Sequence, residues 1–174
     1  MQLTLFTALF AALFAAVASA VALAPPNRPQ QKSCGGYQVA KIEESPTGIR
    51  ALLELREECR LYGIDARQLD LVVDYETETR VHVKITDHNT ARFEVPEAVF
   101  PRPSIDQTES GESTAAFKVV FENEPFGFQV VRKSDGEAVF DSSPGDGSAF
   151  NPLIFEEQYI EISSRLPENA NIYG

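Results

Sequence analysis

The chain has 174 residues, a formal net charge of −11, a pI near 4.6 and 43% hydrophobic side chains. That length and composition suit one domain with a sizeable core and exclude wholesale disorder. An acidic surface repels phosphate backbones and anionic lipid, so neither a nucleic acid nor a membrane surface is an expected partner. Two Cys and two His are too few to close a zinc site without carboxylates, and no cofactor or metal is expected.

The chain opens on an apolar run, Leu3 to Val17, that exits through the small residues Ala18-Ser19-Ala20. This pattern predicts an export signal over residues 1–20, cleaved after Ala20, although no Lys or Arg precedes the run. A membrane anchor needs about 20 apolar residues, which the Ala-rich stretch 3–24 just reaches. Pro25, Pro26 and Pro29 follow it rather than a basic stop-transfer cluster, which favours the signal. Residues 21–33 read as an extended leader, and residues 34–174 as the folded domain. Export places Cys34 and Cys59 in an oxidising compartment, where an even pair suggests one disulfide; two buried free thiols are the alternative. Closing the 25-residue loop between them (59 − 34) stabilises a fold by about 3–4 kcal/mol on the chain-entropy model. No Asn-x-Ser/Thr triplet occurs, so N-glycosylation is not expected.

Residues 49–60 are ambiguous. Their side chains are strong helix formers, yet Ala51, Leu53 and Leu55 alternate with Leu52, Glu54 and Arg56. Beyond them the period is two. Leu69, Leu71, Val73 and Tyr75 share one face of 69–76, with Asp70, Asp74 and Glu76 opposite. Val81, Val83 and Ile85 share one face of 80–86, with His82, Lys84 and Thr86 opposite. The polar stretch Glu76-Thr77-Glu78-Thr79 predicts a hairpin connection. Further strands are expected at 91–95, 116–122, 126–132, 137–141 and 158–164. Ser134-Asp135-Gly136 marks a turn, and 104–115 a flexible loop. Many short strands with polar turns predict an all-β sandwich.

Catalytic motifs are missing. No G-x-S-x-G context supports a Ser-His-Asp nucleophile, and Gly145-Asp146-Gly147 reads as a surface turn. His82 is expected to be solvated. His88, beside Asp87 at a strand end, has no second cluster to make a metal site. With 26 carboxylates, proximity in sequence selects no general acid. The absence of Trp weakens a sugar-stacking platform, and Tyr and Phe fall mostly on apolar strand faces.

An ordered series of short motifs goes further. It runs Cys34-Gly35-Gly36-Tyr37, then Cys59-Arg60-Leu61-Tyr62-Gly63-Ile64-Asp65, then Leu69 to Thr77 and Arg80 to Asp87. Next come Phe93-Glu94-Val95-Pro96-Glu97, Pro101-Arg102-Pro103, Pro125 to Val130 and Gly136 to Asp141. The last pieces are Ile154-Phe155-Glu156-Glu157-Gln158-Tyr159 and Leu166 to Gly174. The series resembles the N-terminal β-sandwich of secreted fungal α-glucosidases of glycoside hydrolase family 31. It departs from that pattern at Gly35, at Arg56-Glu57-Glu58 and in the unmatched loop 104–115. The resemblance implies a galactose mutarotase-like super-sandwich and favours strand before Cys59. It also implies that the catalytic (β/α)8 barrel, with its two Asp residues, would follow a Tyr-Gly pair such as Tyr173-Gly174. The chain is therefore expected to be a non-catalytic portion of an enzyme that cleaves terminal α-linked glucose from maltose-type substrates. It would pack on the barrel of its parent chain and be inactive alone, with no catalytic residue of its own. A stand-alone carbohydrate-binding or scaffold sandwich is the alternative. A sugar epimerase is a third reading, for which His82 and His88 lack the surroundings.

Overall fold

Side chains that alternate between apolar and polar form strands when the apolar set has a second layer to meet. A computed structural model of the chain describes residues 34–102, 111–144 and 152–166. The expected signal 1–20, its cleavage point at Ala20, the leader 21–33 and the Gly145-Asp146-Gly147 turn lie outside the described residues. So does Tyr173-Gly174.

The described residues form strands and no helix. In chain order these are β1 (Tyr37–Ser45), β2 (Gly48–Leu55), β3 (Gln68–Thr77), β4 (Arg80–Asp87), β5 (Phe117–Asn123), β6 (Phe126–Arg132), β7 (Ala138–Asp141), β8 (Ile154–Phe155) and β9 (Ile160–Glu161). The first four make an antiparallel meander, β1-β2-β3-β4. The next three make a second antiparallel sheet, β5-β6-β7, and β8 and β9 form a short hairpin of their own.

The ambiguous stretch resolves as strand through residue 55, and a register argument explains it. Ile49, Ala51 and Leu53 face Val73, Leu71 and Leu69 across the β2–β3 ladder, and all six are buried. A helix would scatter that inward set around its circumference. Burial of paired apolar side chains outweighs the helix propensity of Leu, Glu and Arg, which amounts to tenths of a kcal/mol per residue. The motif series of β3 and β4 folds as its period dictates. Leu69, Leu71, Val73 and Tyr75 are buried, and Val81, Val83 and Ile85 pack against them. The hairpin between these strands turns at Glu78-Thr79. A register shift between Tyr75 and Thr77 sets Glu76 outside the alternation. Glu76 is consequently buried rather than on the polar face.

Both sheets contribute to one core. Tyr37, Leu53, Leu71 and Tyr75 come from the first, Val119, Phe126 and Phe128 from the second. The rings of Phe121, Phe126, Phe128 and Phe140 line the second sheet in sequence, with centroids 4.9–6.3 Å apart. Tyr75 crosses the sandwich, its hydroxyl accepting the Val119 N–H at 3.3 Å. A buried Tyr hydroxyl needs such a partner, and here the partner fixes one sheet against the other.

Turn chemistry sets the connections. The expected turn between β6 and β7 ends at Gly136, whose φ of +75° lies in the left-handed region that Gly adopts without a Cβ penalty. Gly48 stands where a Cβ would fall 2.1 Å from the Val73 carbonyl oxygen, so β2 approaches β3 closely only because that position is Gly. Part of the expected loop 104–115 is tied down. Glu112 N–H donates to the Pro46 carbonyl at 2.9 Å, and Ala115 is buried in the core. Two expected strands differ. Residues 91–95 form none, and of 158–164 only Ile160–Glu161 pairs.

Leu71 lies at the centre of the paired strand β3 with no exposed surface to speak of. Replacing it with Ala removes methylenes from a position flanked on both sides. Leu71→Ala is expected to lower unfolding stability by about 2–5 kcal/mol, measured as a shift in the urea midpoint at constant m-value.

Candidate functional site

The structure pairs Cys34 with Cys59 as a disulfide, with Cα atoms 5.2 Å apart. Both are buried, in a small cluster of their own with Ile154, Leu61 and Tyr159. The bridge pins the start of β1 to a loop, residues 59–65, that leads back toward β3.

That loop is organised by two carboxylates. Asp65 Oδ2 accepts the N–H groups of Cys59 at 3.0 Å and Arg60 at 3.1 Å. Glu156 Oε1 and Oε2 accept those of Leu61 at 2.7 Å and Tyr62 at 2.8 Å. Four successive backbone donors thus converge on two acidic side chains. Arg60 permits the curvature by taking a φ of +47°. Successive amides curled in this way make a concave anion site. In this chain the anions are its own Asp65 and Glu156.

Arg92 closes the corner from the far side. Its guanidinium donates to the backbone carbonyls of Glu156 at 2.8 Å and Glu157 at 3.0 Å, and lies 4.4 Å from the centre of the Phe155 ring. From below, the Tyr37 hydroxyl donates to the carbonyl of Ala66 at 2.7 Å and reaches that of Phe155 at 3.2 Å. Burial, reinforced by the Asp65 and Asp87 carboxylates, pushes the Tyr37 phenol well above its ordinary value; Arg92 works in the opposite direction. Two motif pieces distant in sequence, Cys59 to Asp65 and Ile154 to Tyr159, therefore meet at one corner. Sequence reasoning noted both pieces but assigned no role to Asp65, Arg92 or Glu156. The only local signal was a pair of acidic residues beside apolar ones.

The chemistry of this corner is structural. Glu156 is 0% exposed and both its oxygens are occupied by amides. A general acid or base must reach a reacting atom, and this carboxylate reaches only its own loop. The two histidines lie elsewhere, on the outer face of β4 and just beyond it. His88 Nδ1 is 2.8 Å from Asp70 and His82 Nδ1 is 3.5 Å from Glu76, which also accepts Arg80 at 2.5 Å. Among the described residues no three His, Cys, Asp or Glu side chains are grouped so as to hold a metal ion.

Beside the corner the surface turns apolar. The segment expected as a strand at 91–95 leaves the sheet because Asp87 Oδ1 accepts the N–H groups of Asn89 at 2.9 Å and Thr90 at 3.1 Å, turning the chain away from the ladder. Pro96 then removes a further donor. In the loop that results, Phe93 is 88% exposed, Val99 74% and Phe100 68%, with Val95 also exposed. Tyr62, at 71%, and Ile64 are exposed on the 59–65 loop, and Ile160 and Ile162 at the β9 hairpin. A groove of about 400 Å³ holds Phe93 and Ile160 along its walls. Tyr and Phe fall mostly on the inner faces of strands, as expected, and these exposed rings are the exceptions. Tyr62 and Phe93 stand outside the core that Tyr37, Tyr75 and Phe155 join. Among the described residues no helix is long and apolar enough to cross a membrane.

Two measurements test the corner. Glu156→Ala takes the acceptor from two part-buried N–H groups and is expected to cost about 2–4 kcal/mol in chemical denaturation with the disulfide intact. Glu156→Gln, which keeps one carbonyl acceptor, is expected to cost roughly 1–3 kcal/mol. The second concerns pH. The Tyr37 phenol is raised in the folded state, so the unfolded chain loses its proton first. The contribution of Tyr37 is complete below pH about 10 and falls as pH rises past it. Tyr37→Phe is expected to flatten the alkaline fall in stability by about 1.4 kcal/mol per pH unit, read from denaturation midpoints between neutral and strongly alkaline pH.

No family model matches the chain. Individual proteins do. A protein of Arthroderma benhamiae named "Probable alpha/beta-glucosidase" is 38% identical over 82% of this chain. One of Aspergillus flavus, named "Probable alpha/beta-glucosidase agdC", is 38% identical over 85%. An "Uncharacterized family 31 glucosidase" of Schizosaccharomyces pombe is 37% identical over 82%. The chain spans only 14–16% of the length of these relatives. Over most of its length it is similar to one segment, about a sixth of the whole, of proteins named as glucosidases, one of them as a family 31 glucosidase.

Proposed function

We propose that this chain is the non-catalytic β-sandwich portion of a secreted α-glucosidase that releases terminal α-linked glucose from maltose-type oligosaccharides, and that it packs on and supports the catalytic (β/α)8 barrel. The observation that carries this reading is the match itself: 38% identity over 82% of this chain, confined to 16% of a protein named as a glucosidase. Two structural features support it. The buried carboxylates Asp65 and Glu156 are occupied by backbone amides, which leaves them no part in a retaining hydrolysis. That reaction needs two carboxyl groups about 5–5.5 Å apart across the scissile bond. An apolar surface also stands beside them. The disulfide and the apolar run at residues 3–17 support export, with a signal at 1–20, a leader at 21–33 and the domain from residue 34. Binding of α-glucosides belongs, on this reading, to the assembled enzyme.

The test grafts the chain, from residue 34 onward, into the Aspergillus flavus relative in place of the homologous segment. The chimera is expected to hydrolyse p-nitrophenyl α-glucoside, and the same relative with the segment deleted is expected to be inactive. The 174-residue chain alone is expected to release no nitrophenol above the buffer rate. Turnover by the chain alone, or an inactive chimera, overturns the reading.

A further inference from the structure

The loop from Arg92 to Arg102 combines two properties. It displays four large apolar side chains within eight residues, Phe93, Val95, Val99 and Phe100, all exposed. Single exposed apolar residues are normal on any protein; a cluster of this size marks a contact surface. The loop is nonetheless firmly held. Its first residue is fastened by the two carbonyl contacts of Arg92 on the β8–β9 hairpin. Glu94 receives Lys84 Nζ at 2.6 Å and Arg102 at 3.0 Å, and Arg102 also lies 3.7 Å from Glu97. At the tip, the N–H groups of Val99 and Phe100 both donate to the Pro96 carbonyl, at 2.9 and 3.1 Å. Ion pairs tie the loop at its base and middle, and the apolar side chains stand outward from that frame. These contacts lower the freedom that docking would otherwise remove. The anchoring comes mainly from the carbonyl contacts of Arg92 and the backbone bonds to Pro96, since the exposed ion pairs each add little.

We propose that this loop is the docking arm through which the chain seats on the rest of its glucosidase. The inference rests on the function proposed above and names the surface that serves it. Charge selects a protein partner. Residues 92–102 carry two Arg and two Glu and are neutral, on a chain of net charge −11. A neutral apolar centre with an ion-paired rim is the anatomy of a protein–protein interface. It offers nothing to phosphate or to anionic lipid. The match selects which protein. An alignment over 82% of the chain must include its middle, where residues 92–102 lie, so the arm belongs to the part shared with the glucosidases. In those relatives the remaining 84% of the length supplies the surface to be met.

The chimera with the Aspergillus flavus relative separates this inference from the reading beneath it. Phe93→Ser/Phe100→Ser is expected to lower chimera activity at least tenfold and to split its thermal unfolding into two transitions. The same pair in the 174-residue chain alone is expected to leave its denaturation midpoint unchanged, because both rings are already in water. Phe93→Ser alone repeats the measurement with the smaller change. A chimera that is active before substitution and equally active and cooperative after it overturns the docking arm while the domain assignment stands. A chimera inactive before substitution overturns both. Two results with the chain alone also overturn the proposed occupant: a dimer in sedimentation that the double variant abolishes, or co-sedimentation with phosphatidylcholine vesicles that the double variant abolishes.

Discussion

Two carboxylates holding four consecutive amides are the interaction on which one end of this sandwich depends. A buried carboxylate costs several kcal/mol in desolvation unless its lone pairs are met. A run of curled backbone N–H groups is equally costly if left dry. Asp65 and Glu156 resolve both problems at once, each accepting two N–H groups of the Cys59–Tyr62 stretch. Charge-assisted hydrogen bonds of this kind are about twice as strong as neutral ones. The disulfide acts on the same loop but through the chain rather than through polarity, by joining its first residue to the start of β1. Covalent and electrostatic restraints therefore converge on one loop, which regular ladder bonds do not hold.

The restraint propagates outward. With Glu156 fixed, its own carbonyl and that of Glu157 point at a defined place, and Arg92 fills it. Arg92 in turn begins the loop that carries Phe93 and Phe100. The position of those exposed rings is thus set by a chain of contacts that starts at the buried carboxylate. Tyr37 links the same hairpin to the first sheet through its hydroxyl, as Tyr75 links the two sheets through Val119. Two phenols do for the layers what the ladder bonds do within each sheet.

What could be read in the sequence was whatever a period of two encodes. The inward faces of β3 and β4, the turn at Gly136 and the all-β character followed from alternation and turn chemistry alone. β2 required its partner: Ile49, Ala51 and Leu53 reveal a strand only when set opposite Val73, Leu71 and Leu69. β1 gave no usable pattern, since most of its length is exposed on an edge and a register shift after Val39 breaks its alternation. The expected strand at 91–95 had the right residue types, but an Asp87 side chain bonded to two following amides diverts the chain before it can pair. The corner was invisible for a different reason. Asp65 and Glu156 are 91 residues apart in sequence, and one acidic residue among 26 carries no mark of burial. Only their motif neighbours pointed there.

Polar and apolar groups are divided on this surface, the polar ones bonded and the apolar ones exposed. Catalysis depends on polar groups whose interactions are held for the transition state, poised but not already made. At this corner the buried carboxylates already hold their partners in the resting fold, Glu156 two amides and Asp65 two, and the half-buried Arg92 donates to two carbonyls. What the fold leaves incomplete is apolar, on rings that stand in water while a rigid frame holds them there. A surface of that kind gains free energy only by being covered. The polar saturation of the corner and the apolar exposure of its neighbouring loop are therefore two sides of one arrangement, in which the first fixes the direction of the second.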